Sequence, residues 1–118
     1  MNQYTNEELA EALKLITSTI SNCEKMQPKF EEGTSQHTLL KNRIKALYIS
    51  KALVMGEEIK DRYTEDEVSE ALSPIASIIS KSEKAILKAK KGTATYTRLS
   101  KIIKAMYISK ALITDEIK

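Results

Sequence analysis

The tetrapeptide Tyr-Ile-Ser-Lys occurs twice, at Tyr48–Lys51 and again at Tyr107–Lys110. Residues three apart share a helix face. Tyr48 with Lys51, and Tyr107 with Lys110, therefore form a candidate site for an anion or a partner's carboxylate. The lysines also have a plainer reading, in which the aliphatic stem lies on apolar surface and the ammonium reaches water. A second concentration of chemistry lies between Lys81 and Lys104, where eight basic residues stand against one acid, Glu83. Lys81, Lys84, Lys88 and Lys91 recur at helical spacing and, with Arg98 and Lys101, make a basic face suited to phosphate contact. The set is mostly lysine, and Tyr96 is the nearby aromatic, which suits backbone contact more than base readout. Lysines near a helix C-terminus are also favoured by the helix dipole alone.

The groups that catalysis needs are scarce. His37 and Cys23 are the only residues of their types, and together they cannot complete a Cys/His zinc set. No Glu-x-x-His pattern, glycine-rich phosphate loop or Gly-x-Ser-x-Gly elbow is present. The carboxylates gather at helix starts, where capping and the dipole account for them. The expectation is a protein that is not an enzyme and holds no metal or cofactor. Cys23, in helical step with Leu13, Ile16 and Ile20, reads as a buried thiol. A single cysteine forms no intrachain disulfide, which gives no sign of an oxidising compartment. The polar, acidic N-terminal residues lack the features of a signal peptide. The most apolar stretch, Ile44 to Met55, carries Lys45 and Lys51, so no membrane span is expected. These features predict a cytoplasmic protein.

The elements that must position these residues follow from an internal repeat. Shifted by 59 positions, Tyr4–Met55 falls on Tyr63–Thr114, and 26 of the 52 aligned residues are identical. A unit of this size is a supersecondary motif that needs a neighbour to cover its apolar face. Each copy reads as two helices. Thr5-x-x-Glu8 and Thr64-x-x-Glu67 are capping boxes that open the first helix of each copy. Leu9, Leu13, Ile16, Ile20 and Cys23, and then Val68, Leu72, Ile75, Ile79 and Ile86, follow the helical period. Gly33-Thr34 and Gly92-Thr93 mark turns. The second helices should run over about 35–55 and 94–113, and residues 56–63 link the copies. Pro28 should end or bend the first helix early. Its counterpart Leu87 should let the third run on toward Lys91, and Pro74 should kink that helix near Ser73.

The expected fold is all-α: an antiparallel four-helix bundle built by tandem duplication of a helical hairpin, with pseudo-two-fold symmetry. It is a single domain over 1–118, with repeats at 4–60 and 63–118. A chain of this length buries roughly 65% of the surface of its unfolded form, enough for one core. In the second helix of each copy, Leu40, Ile44, Leu47 and Val54, and Leu99, Ile103, Met106 and Ile113, make one apolar face, with Lys110 projecting near the centre of the latter. Ala46, Ile49 and Leu53, and Ala105, Ile108 and Leu112, lie roughly opposite. A helix apolar on two sides must be covered on both, either by its own bundle or by another subunit. The second option favours self-association, because bundle helices normally bury one stripe.

The net charge is +3, with the first 60 residues neutral and the remainder carrying the excess. Together these features point to a non-catalytic interaction or regulatory module that forms a homo-oligomer and binds a protein partner. The alternative is a nonspecific nucleic-acid-binding protein using the basic face of the second repeat. In size, basic charge and helical content the chain is also similar to the small four-helix bundles that act as bacteriocin immunity proteins, a likeness of fold that implies a regulatory protein partner.

Overall fold

A computed structural model describes residues 3–117. Four long helices, one of them interrupted, surround a single core: α1 (Asn6–Met26), α2 (Ser35–Val54), the α3–α4 pair (Glu65–Glu70 and Leu72–Lys88) and α5 (Ala94–Glu116). No strand occurs among the described residues.

Local chemistry sets the boundaries. Both capping boxes form. The Glu8 N–H donates to Thr5 Oγ1 and the Thr5 N–H donates to Glu8 Oε1, each at 3.0 Å. Thr64 and Glu67 repeat the exchange at 3.1 and 2.8 Å. Charged carboxylates accept these bonds, so both glutamates titrate below the usual carboxylate range. For Glu8 the backbone bond from Thr5 is the main cause and Lys104 the next; for Glu67 it is Lys45 and then Thr64. Thr34 and Thr93 cap α2 and α5 by accepting from the His37 and Tyr96 N–H groups. The glycines before them, Gly33 and Gly92, have φ of 88° and 87°, a left-handed conformation that side chains other than glycine's resist. At the end of α2, Gly56 N–H donates to the Leu53 carbonyl and Glu57 N–H to the Ala52 carbonyl, a Schellman closure.

The prolines act as expected with one shift of position. Pro28 lies in a 3-10 turn, Gln27–Lys29, immediately after α1. Pro74 has no N–H to offer the Glu70 carbonyl, and regular helical bonding lapses at Ala71 between α3 and α4, although Ala71 itself keeps right-handed helical dihedrals (φ −65°, ψ −23°). The expected run-on toward Lys91 does not occur. α4 stops at Lys88 with Ala89 extended, because the Gly92 turn that must follow requires the chain to leave the helix.

The helices are not equivalent in the core. α2 and α5 pack on one another and each also packs on both α1 and α4, whereas α1 and α4 have no close approach. The inner pair is therefore wrapped on several sides. Leu47, Ile49, Met106, Ile108 and Ile113 are fully buried, and so are Ser50 and Ser109, whose hydroxyls donate to the Ala46 and Ala105 carbonyls one turn back. Ile16 of α1 and Ile75 of α4 close the outer sides, and Ile59 from the connecting segment is also buried. Cys23 is buried among them, and desolvation pushes its thiol above the usual range.

Candidate functional site

The two Tyr-Ile-Ser-Lys segments do not form an anion site. The Tyr48 hydroxyl donates to Glu24 on α1 at 2.8 Å, and the Tyr107 hydroxyl donates to Glu83 on α4 at 2.9 Å. A carboxylate thus stands beside each phenol, on flanking helices that do not approach each other, and it repels an anion. Lys51 is half-buried and Lys110 is exposed.

Losing a phenol proton here would break a hydrogen bond and set two negative charges together. The bond to Glu24 therefore raises Tyr48 above the ordinary phenol value, and the bond to Glu83 does the same for Tyr107. The sign is that of a group raised in the folded state: its contribution is present below about pH 10 and lost as pH rises through the folded value. In a phenolate absorbance titration, two of the five tyrosines should ionise late, and Glu83→Gln should return Tyr107 toward the ordinary value. Five coincident transitions in the native protein would contradict the bonds.

The second apolar face is consumed within the chain. Ala46, Ile49, Ala105 and Ile108 are at most 2% exposed, and Leu53 and Leu112 are half-buried against the core. Counting apolar stripes on isolated helices pointed to another subunit. The cover comes instead from the chain itself, because α2 and α5 each have three helical neighbours.

The basic residues are spread over two helices and a turn: Lys81, Lys84 and Lys88 lie on α4, Lys91 in the turn beyond its end, and Arg98 and Lys101 on α5. Lys81, Lys84, Lys88, Lys91 and Arg98 are exposed and make no ion pair among the described residues. Lys101 is committed elsewhere, to Glu11 of α1 at 3.2 Å, and its neighbour Lys104 to Glu8 at 3.0 Å. In the midst of the free lysines, Leu87 is 85% exposed.

A cleft that the sequence did not announce opens between α2 and the α3–α4 break. It encloses about 460 Å³ and is lined by Leu39, Asn42, Arg43, Glu70 and Pro74, with Ala46 and Ala71 among its lining residues. Lys45 and Glu67 form an ion pair along the same cleft. The residues 59 positions away make a much smaller cleft between α5 and α1, of about 50 Å³. No family model, curated protein or solved structure matches this chain.

The chemistry available to the chain is therefore read from its own surface. No group of three or more His, Cys, Asp or Glu side chains suited to a metal occurs among the described residues. His37 is half-buried in the first turn of α2, its backbone N–H engaged by the Thr34 cap. No helix among the described residues is long and apolar enough to cross a membrane. Two features remain among the described residues: cations without ion pairs near an exposed leucine of α4, and a cleft whose wall carries a carboxylate and a guanidinium without ion pairs.

Proposed function

We propose that the chain is a non-catalytic interaction module, a four-helix bundle that arose by duplication of a hairpin, and that it binds an acidic segment of a protein partner along α4. Leu87 carries this reading. An 85% exposed leucine stands one turn from Lys84 on α4, next to Lys88 at the helix end and shortly before Lys91 in the turn that follows, and none of the three exposed lysines makes an ion pair among the described residues. An apolar anchor ringed by charge suits a protein segment that offers both a hydrophobic side chain and carboxylates. A phosphate backbone would use the lysines and leave the leucine idle, which ranks nucleic-acid binding second.

The test is fluorescence anisotropy with a labelled peptide of alternating Glu and Leu, run beside DNA and RNA oligomers across a salt series. The triple variant K84E/K88E/K91E should weaken peptide binding about 10- to 100-fold, since each exposed charge contact is worth about 0.2–1 kcal/mol and reversal replaces attraction by repulsion. Leu87→Ser should cost about tenfold, the effect of withdrawing about 1.5 kcal/mol of apolar burial. Oligonucleotide binding that falls steeply with salt and ignores Leu87→Ser would instead favour the nucleic-acid reading.

A further inference from the structure

The two clefts beside the α2–α5 pair carry the same residue types at several positions, yet one is closed and the other open. In the closed cleft, Glu11 of α1 is met by Lys101 of α5 and Glu8 by Lys104. In the open cleft the second of these ties persists as Lys45 with Glu67. The first does not. The position of Lys101 is taken by Asn42, too short and without charge, and Glu70, in the position of Glu11, makes no ion pair among the described residues. Two further replacements add to the difference. Pro74 stands where the other half has Leu15, removing a flexible side chain and breaking the helix at Ala71. Arg43 stands where the other half has Ile102, which adds a guanidinium that makes no ion pair among the described residues.

The open cleft thus lacks the lysine side chain that occupies the closed one. What is left is a carboxylate, a channel bordered by Leu39, Ala46, Ala71 and Pro74, and a cation. Lys101 in the closed cleft shows what this geometry accepts opposite the carboxylate: an ammonium on an aliphatic chain. The four charged residues of the lining, Arg43, Lys45, Glu67 and Glu70, sum to zero, so neither a bare cation nor a bare anion is matched by the site as a whole. A volume of about 460 Å³ lies within the range of small-molecule sites, roughly 300–1,000 Å³.

We propose that this cleft binds a small aliphatic zwitterion, with its ammonium at Glu70, its methylene chain between Leu39 and Pro74, and its carboxylate at Arg43. An ω-amino acid, with one ammonium and one carboxylate at opposite ends of a methylene chain, is the natural representative. Its affinity is modest: few atoms and solvent-exposed charges place the dissociation constant on the order of 1–10 mM.

The probe is 6-aminohexanoate, which has the reach of a lysine side chain, titrated into the isotopically labelled full chain and followed by amide chemical shifts. Saturable shifts should centre on Asn42, Arg43, Glu70 and Ser73. Hexanoate, lacking the ammonium, and cadaverine, lacking the carboxylate, should bind at least fivefold more weakly, as should the probe to Glu70→Gln and to Arg43→Gln. The decisive variant is Asn42→Lys, which supplies the missing cation from within the chain. It should abolish binding while holding or raising the Tm, so that loss of binding is not confused with loss of fold. The proposal is overturned if the probe gives no saturable shifts at 50 mM, if cadaverine binds as well as the probe, or if folded Asn42→Lys binds as the native chain does.

Discussion

Replacing Ile108 with alanine should lower the stability of the fold by about 2–5 kcal/mol, the usual cost of removing a large aliphatic side chain from a site that cannot collapse. Ile108 is 1% exposed on α5, and its counterpart Ile49 is 0% exposed on α2. Each belongs to a helix with three packed helical neighbours, so the lost methylenes leave a void that none of them can fill alone. For a chain of 118 residues this corresponds to a fall in Tm of about 8–20 °C. Against a total stability of roughly 5–15 kcal/mol it leaves a folded but weakened protein. Thermal unfolding followed by circular dichroism reads the effect, with sedimentation as a companion. If these isoleucines instead formed an intersubunit face, the substitution would shift the sedimentation of the native protein and leave the monomer's Tm nearly unchanged.

Pro74→Leu should act in the opposite direction, raising stability by about 1–3 kcal/mol, or a Tm gain of about 4–12 °C. Proline at this position denies the Glu70 carbonyl its donor and presses its ring toward it, and regular helical bonding lapses at Ala71 between α3 and α4. Leucine restores the N–H and brings a side chain of the kind that Leu15 already packs against the core from α1. The expected product is one helix from Glu65 to Lys88 and a cleft reduced toward the volume of its counterpart. A larger helical circular dichroism signal together with a higher Tm supports this. A lower Tm would show that packing around Ala71, not the imino acid, imposes the break.

Much of the helical framework was legible because its signals are local. A threonine followed three residues later by glutamate marked two helix starts, and both exchanges form. Gly33 and Gly92 marked the turns because only a residue without Cβ adopts positive φ freely. What escaped depends on neighbours that a helical wheel does not contain. The wheel showed two apolar faces on α2 and α5 but not that α1 and α4 cover them from within. It placed Lys110 by its Cα, whereas the ammonium sits a full stem-length away. Ile59, an isolated apolar residue in a connecting segment, carries no period to reveal that it is buried. The cleft was the least accessible feature. Asn42 and Glu70 line it from two different helices, a juxtaposition that no spacing along one helix encodes.

The absence of contact between α1 and α4 has a consequence for how the molecule comes apart. Either outer helix can swing away while the other three remain mutually packed, so two partial openings exist that do not require each other. Separation of α2 from α5 is different in kind, since both outer helices bridge that seam and must be released with it. The fold therefore has an order of release: each outer helix can open without the other, one at the cleft and one at its closed counterpart, whereas the central pair parts only after both.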